Sequence, residues 1–232
     1  MQTPIVRMLV AFLLAAAGLA SGASGARVSQ LPDPVQIGVP ALQVYGEREG
    51  LPHPTPHSLA LDAEGRIWAG TQDGAAWFNG RAWTTVEFPR ECKSRFIRAL
   101  ALTPDGSGWF GTQDDGLWQQ RGERWIHHDA ALGLPAKRIN HLQWVPEGTG
   151  YGRWAATSDA GGARYSKGAW KTWGRAEGLR DPWVWRVRPA RGGVWVVGLG
   201  GLAAVKGDRL DPNPLGTTWQ EPCNEILDLR GP

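Results

Sequence analysis

The sequence contains little that could cross-link a fold. Cys92 and Cys223 are the only cysteines among 232 residues, and they lie 131 positions apart. An oxidising compartment would allow them to pair, but a disulfide needs Cα atoms within about 7 Å of each other. Because the repeat described below places the two cysteines on separate units, we expect both to be unpaired, with a disulfide as the alternative.

Motifs typical of catalytic, metal-binding, phosphate-binding and redox sites are also absent from the sequence. There is no Gly-x-Ser-x-Gly elbow, His-Glu-x-x-His pair, phosphate-binding loop or Cys-x-x-Cys pair. The Asp-Gly clusters lack the alternating carboxylates of a calcium loop. The histidines are expected to be solvated loop or strand residues rather than catalytic groups: His53, His57, His127, His128 and His141. The sequence therefore predicts a protein that is not an enzyme and holds no metal and no cofactor.

Charge of one sign and long apolar runs are scarce. The formal net charge is +3, and no Lys/Arg run is dense enough to predict binding to nucleic acid. One unbroken apolar stretch, residues 8–19, follows Arg7 and precedes small residues suited to cleavage. This pattern predicts a signal peptide over residues 1–26, a linker over 27–41, and a periplasmic or secreted protein. The alternative is an uncleaved anchor, although a membrane-spanning helix needs roughly 20 apolar residues.

What the sequence does contain is tryptophan and glycine. There are 14 Trp and 32 Gly, against five Phe and three Tyr. The motif Trp-Ala-Gly-Thr and its variants recur with spacings of 41, 45 and 41 residues, anchored at Trp68, Trp109, Trp154 and Trp195. A period in the low forties is typical of a four-stranded propeller blade.

Turns and strands recur in phase with these anchors. An alternating strand precedes each anchor, and Asp-Gly or Asn-Gly clusters that suit tight hairpins separate the strands. The pattern predicts an all-β fold, a β-propeller of four-stranded antiparallel blades over residues 42–232. The blades are expected at about 57–87, 96–128, 138–174 and 183–213. The Trp rings are expected to fill the wedges between blades, with a carbohydrate platform as the alternative.

Two fragments flank these blades. Residues 42–47 align with the outer strands, and residues 224–229 look like the inner strand of a partial fifth blade. Four blades and two fragments do not make a comfortable closed ring, since seven blades would need roughly 280 residues. We therefore expect an incomplete ring and a truncated chain, with another propeller subunit as a possible partner.

The unit over residues 58–86 resembles the regulator-propeller repeat of bacterial two-component sensors, with its pattern Asp-x-x-Gly-x-Ile-Trp-x-Gly-Thr. The Gly-Leu-Pro steps at residues 50–52 and 133–135 are also similar to those of that family. The chain departs from the pattern at Glu91-Cys92-Lys93 and at Gly198. The resemblance implies a ligand-sensing region outside the membrane that is attached to a signalling domain.

The inner strands of a propeller line a central channel, where polar and aromatic groups form a default ligand site. We expect the ligand-binding candidates at the entries of these strands: His57, Arg98, Asn140, His141, Trp183, Trp185 and Arg186. Arg98 and Arg186 favour an anionic group, and Trp183 or Trp185 offers a stacking face. The predicted partner is a small molecule or a glycan, and the alternative for each residue is a solvent-facing strand end.

Three functions fit these observations. The first is a periplasmic ligand-binding propeller of a two-component-type signalling protein. The second is a free-standing exported binding propeller. The third is an enzyme similar to the streptogramin lyases, which is disfavoured because no carboxylate accompanies His57 and His141 at equivalent positions.

Overall fold

A computed structural model describes residues 43–147, 150–190 and 192–216. Several expectations fall outside these residues: the signal peptide and linker, Leu42, the partial fifth blade from residue 224, and Cys223. Cys92 is unpaired and buried.

The described residues form sixteen strands in four separate sheets, each of four antiparallel strands in sequential order. The first sheet consists of β1–β4 (Pro56–Leu61, Ile67–Thr71, Gly74–Phe78, Trp83–Thr85). The second consists of β5–β8 (Ile97–Leu102, Gly108–Thr112, Leu117–Arg121, Arg124–His128). The third consists of β9–β12 (Ile139–Glu147, Gly150–Thr157, Gly162–Ser166, Ala169–Trp173). The fourth consists of β13–β16 (Val184–Ala190, Gly193–Gly198, Gly201–Lys206, Arg209–Asp211).

These sheets are successive blades. The inner strands contact one another in order, β1 with β5, β5 with β9 and β9 with β13, and the second strand of each blade packs on the inner strand of the next. The described strands thus form an open series of four blades. The prediction of an all-β propeller with four-stranded antiparallel blades is confirmed.

The threonine three residues after the Trp anchor, present in the first three blades, has a structural reason. The buried hydroxyl of Thr112 donates to the carbonyl of Gly116 at 2.9 Å and accepts from the N–H of Asp115 at 2.8 Å, which closes the turn between β6 and β7. Thr71 and Thr157 close the equivalent turns in the first and third blades. In the fourth blade Gly198 takes the place of the threonine and pairs with Gly201 across a turn of the same length as that between Thr71 and Gly74.

The glycine of the same motif makes room for the next blade. A Cβ atom on Gly70 would lie 2.7 Å from Cγ2 of Ile97, and one on Gly111 would lie 2.6 Å from Cγ2 of Ile139. The third blade has Ala156 at this position. Ala156 belongs to the same buried cluster as Val184, the first residue of β13, which is smaller than an isoleucine. Gly70 and Gly111 thus leave space for the isoleucine that opens the following blade.

The Gly-Leu steps before the first, third and fourth blades form short 3₁₀ turns, Glu47–Glu49, Ala130–Leu132 and Arg175–Glu177. Each turn ends at a glycine with positive φ, for which Gly is favoured. The leucine that follows is buried in each case: Leu51, Leu134 and Leu179. The step thus reverses the chain and places an apolar side chain between blades.

Two expectations are wrong. Residues 43–46 do not form an outer strand; Tyr45 instead packs its ring on Phe78 and Trp83, with centroids 5.0 and 6.0 Å away. His128 is not solvated but completely buried. It lies between the second and third blades, stacked on Trp109 at 4.9 Å.

The Trp anchors pack within and between the blades. Trp109 and Trp154 are fully buried, and Trp154 stacks on the buried Trp173 at 5.1 Å. Trp68 and Trp195 are half-buried. These positions agree with packing in the wedges between blades, as expected from their recurrence.

Candidate functional site

Each inner strand contains one extra residue at the same place. In β5, Ile97 pairs with Thr112 and Ala99 pairs with Gly111, so that Arg98 has no partner of its own across the ladder. The same irregularity occurs in β1, β9 and β13. The extra residues are His57, Arg98, Asn140 and Trp185. A β-bulge redirects a side chain from the ladder, so the four blades present these residues in equivalent positions.

The bulged segments line a cavity of about 690 Å³. All four inner strands contribute to it, and six of the seven predicted residues line it: His57, Arg98, Asn140, His141, Trp185 and Arg186. Ser58, Gln143 and Arg188 line it as well. Trp183 does not; it lies at the entry to β13 and is 40% exposed. The volume falls within the range of small-molecule sites.

The cavity is cationic. Its described lining residues include three arginines, Arg98, Arg186 and Arg188, and no Asp or Glu. Burial, with the charges of Arg188 and Arg186, lowers the pKa of His141 to about 3. Burial, with the charges of Arg98 and His53, also lowers the pKa of His57. Both histidines therefore favour the neutral form, and the positive charge comes from the arginines.

Arg98 is held by Gln113, which follows Thr112 in the turn between β6 and β7. One Nη of Arg98 donates to Oε1 of Gln113 at 2.9 Å, whereas Nε of Arg98 is buried without a hydrogen-bond partner. Arg138 reaches the same residue from the third blade, and its Nε donates to the backbone carbonyl of Gln113 at 3.3 Å. Burial and the charge of Arg138 lower the pKa of Arg98. Gln113 thus brings two guanidinium groups from neighbouring blades together.

Asn140 and His141 are engaged within the protein. Nδ2 of Asn140 donates to the carbonyl of Val184 at 2.6 Å and to Oγ of Ser158 at 3.0 Å, which joins the third and fourth blades. Nε2 of His141 lies 3.5 Å from Nη1 of Arg188, which also donates to Gln143 at 3.3 Å. These side chains form the wall of the cavity and have less capacity for a ligand than His57, Arg98 and Trp185.

Aromatic rings support the arginines at the rim. The guanidinium carbon of Arg98 lies 5.8 Å from the ring centroid of Phe96, and that of Arg138 lies 6.0 Å from the ring of Trp183. His57 also packs on Phe96, with centroids 4.5 Å apart. Cation–π contacts of this kind hold a guanidinium group in place without neutralising its charge.

The sequence analysis missed Arg138 and Gln113. Arg138 immediately precedes Ile139, as Trp183 precedes Val184 and Phe96 precedes Ile97. Aligning the blades on these β-branched residues would have placed Arg138 in the same row as Trp183. No comparable signal marks Gln113, because it lies in a turn whose proximity to Arg138 arises only when the blades pack.

Within the described part of the chain, no group of three or more His, Cys, Asp or Glu residues is placed to hold a metal ion. None of the helical segments in that part has the length or apolarity to cross a bilayer. The candidate site is a cationic, partly aromatic cavity whose walls come from four blades.

Four successive four-stranded antiparallel sheets with packed inner strands define the class of the fold as a β-propeller. Residues 50–73 match the family model of the two component regulator propeller. This match runs from the Gly-Leu-Pro step through the Trp anchor and the turn threonine of the first blade. The match thus covers the first two strands of the first blade. No curated protein matches the chain significantly.

Solved structures share the fold. The extracellular domain of a hybrid two component system, BT3049 from B. thetaiotaomicron, is similar with a TM-score of 0.63 and 18% identity, covering 73% of this chain and 26% of that one. The extracellular domain of a one component system, BT4673 from the same organism, is similar with a TM-score of 0.54 and 16% identity, covering 71% and 22%. The chain thus spans about a quarter of the length of each.

Proposed function

We propose that the chain is a ligand-binding propeller region of an exported sensor of the two-component type, and that the cavity between the inner strands is its ligand site. The observation that carries this proposal is the row of β-bulges, because four equivalent bulges direct His57, Arg98, Asn140 and Trp185 to one cavity. Bulges of this kind are over-represented beside functional sites.

The family match supports the signalling part of the proposal. The first two strands of the first blade match the regulator propeller model, and the two structures named above are extracellular domains of signalling systems. At their identities the likeness concerns the fold alone, so the ligand and the output remain part of the proposal. An extracellular position would agree with the expected signal peptide over residues 1–26.

The direct test is ligand binding by the full chain. A panel of neutral sugars, acidic sugars and organic acids would be screened by thermal shift, and each hit measured by titration calorimetry. We expect Trp185→Ala to weaken binding by about tenfold or more, because stacking by an aromatic ring contributes substantially to ligand affinity. The matched control is Trp83→Ala, which removes an outer-strand Trp that does not line the cavity.

Equal affinities for the wild type and Trp185→Ala would show that the ligand binds elsewhere, and the proposed site would be wrong. The sensor role is tested separately. The measurement is the change in transcription when the ligand is added to cells that carry the gene and to cells that lack it. A protein that binds its ligand without any effect on transcription would be a free-standing binding propeller rather than a sensor region.

A further inference from the structure

Arg98 and Arg138 are two cations without an anion. Arg98 lines the cavity and Arg138 lies immediately before β9. Gln113 accepts a hydrogen bond from Arg98 through its side-chain oxygen and one from Arg138 through its backbone carbonyl. Among the described residues, no carboxylate lies within ion-pair distance of either guanidinium group. Neutral acceptors hold the groups in position but leave their charges uncompensated.

The arrangement also leaves a donor unused. Nε of Arg98 is buried and has no hydrogen-bond acceptor in the protein. A buried donor without a partner costs on the order of 1–3 kcal/mol, so it calls for an explanation at each site where it occurs.

Basic, polar and aromatic residues surround Arg98 and Arg138. Arg186 and Arg188 also line the cavity, which has no acidic residue among its described lining. The aromatic rings of Phe96 and Trp183 lie against Arg98 and Arg138. Two planar guanidinium groups held by aromatic rings and a neutral amide can present several N–H donors, in the geometry that suits carboxylate, sulfate and phosphate groups.

We propose that Arg98 and Arg138 bind an oxyanion group of the ligand, so that the ligand class of the cavity is an acidic small molecule or an acidic sugar. The inference rests on the proposed function and narrows it. The oxyanion lies at the edge between the second and third blades, and the remainder of the ligand extends into the cavity toward Trp185.

The test compares probes that share a shape but differ in charge. Digalacturonate and neutral galactobiose would be titrated calorimetrically into the full chain, together with sodium sulfate as the oxyanion alone. We expect digalacturonate to bind at least tenfold more tightly than galactobiose, and sulfate to compete with it. We also expect the affinity for digalacturonate to fall as salt is added, because the attraction is between charges.

Two variants locate the anion. Arg98→Gln and Arg138→Gln keep a polar side chain but remove the charge, and each is expected to weaken binding of digalacturonate by about tenfold or more. The control is Arg121→Gln, an exposed arginine at the end of β7 far along the blade from the inner strand. It should leave the affinity unchanged. Circular dichroism and the melting temperature verify that each variant is folded.

The outcomes separate this inference from the proposed function. If none of the anions binds, or if Arg98→Gln and Arg138→Gln bind them as the wild type does, the oxyanion site is wrong. If a neutral sugar binds with an affinity that Trp185→Ala weakens and Arg98→Gln leaves unchanged, the anion site is wrong but the cavity remains the ligand site. If Trp185→Ala weakens the binding of no member of the panel, both proposals fail.

Discussion

At the scale of single residues, His128 shows how the wedge between two blades fixes a protonation state. Nδ1 of His128 accepts a hydrogen bond from Nε1 of Trp170 at 3.1 Å, and Trp can only donate. The proton of the neutral ring therefore resides on Nε2, which lies 3.1 Å from Oε1 of Gln119. Protonation of Nδ1 would break the bond to Trp170 and place a charge in a fully buried site.

This arrangement predicts a specific loss of stability in acid. Burial, with the charge of His127, lowers the pKa of His128 to about 4 in the folded protein, from 6.5 in the unfolded chain. The unfolded chain binds the extra proton between these values, so the stabilising effect is complete above pH 6.5 and is lost as the pH falls toward 4. The loss amounts to about 3 kcal/mol in the free energy of unfolding, or about 1.4 kcal/mol per pH unit.

The measurement is urea unfolding of the wild type and of His128→Gln at pH 7 and at pH 4. Because Gln does not titrate, other groups contribute equally to both proteins and cancel in the difference. We expect the wild type to lose about 3 kcal/mol more than the variant over this range. Parallel pH profiles would show that His128 is accessible to protons in the folded state.

At the scale of elements, the fit between adjacent blades depends on the size of two facing residues. Gly111 faces Ile139, whereas in the next interface Ala156 belongs to the same buried cluster as Val184. Since Gly111 does not have a positive φ, its role is to leave space rather than to permit an unusual backbone.

We therefore expect Gly111→Ala to destabilise the protein by about 1–3 kcal/mol, because its Cβ would overlap Ile139. Ile139→Ala removes Cγ2, the atom that the new Cβ would approach most closely. We therefore expect Ile139→Ala to cost less stability when combined with Gly111→Ala than it does in the wild type. Chemical unfolding of the four proteins of this cycle gives the coupling energy. Additive effects would mean that the two side chains do not constrain each other.

The same scale shows what a sequence can and cannot predict. The strands and hairpin turns followed from Asp-Gly and Asn-Gly clusters in phase with the Trp anchors, because such turns depend on local chemistry. The 3₁₀ turn at Ala130–Leu132 and its two counterparts were not predicted, since each is a single turn without a helical period. The bulge at Arg98 was not predicted either, because it appears only when β5 pairs with β6.

For the candidate site, the limit of prediction is again the packing of distant segments. The position of His57, Arg98 and Trp185 at the entries of inner strands followed from the repeat. The burial of His128 and the meeting of Arg138 with Gln113 depend on contacts between residues 25 to 42 positions apart in neighbouring blades. A repeat gives the layout of each blade but does not state which side chains meet across the wedge.

At the scale of the whole molecule, the blades act together because no single one could form the cavity. Each inner strand contributes one bulged residue. Before the first, third and fourth blades, a 3₁₀ turn is followed by a buried leucine. A ligand in the cavity would therefore contact several blades at once. Such binding would couple the blades and reduce the local opening of all four inner strands.

The most direct test of this picture is hydrogen–deuterium exchange of the full chain with and without the tightest-binding member of the ligand panel. We predict slower exchange confined to four segments, residues 56–59, 97–100, 139–143 and 184–188, and no change in the outer strands. Slower exchange in a single blade or in the outer strands, with the inner strands unchanged, would contradict the claim that the bulged inner strands form the ligand site.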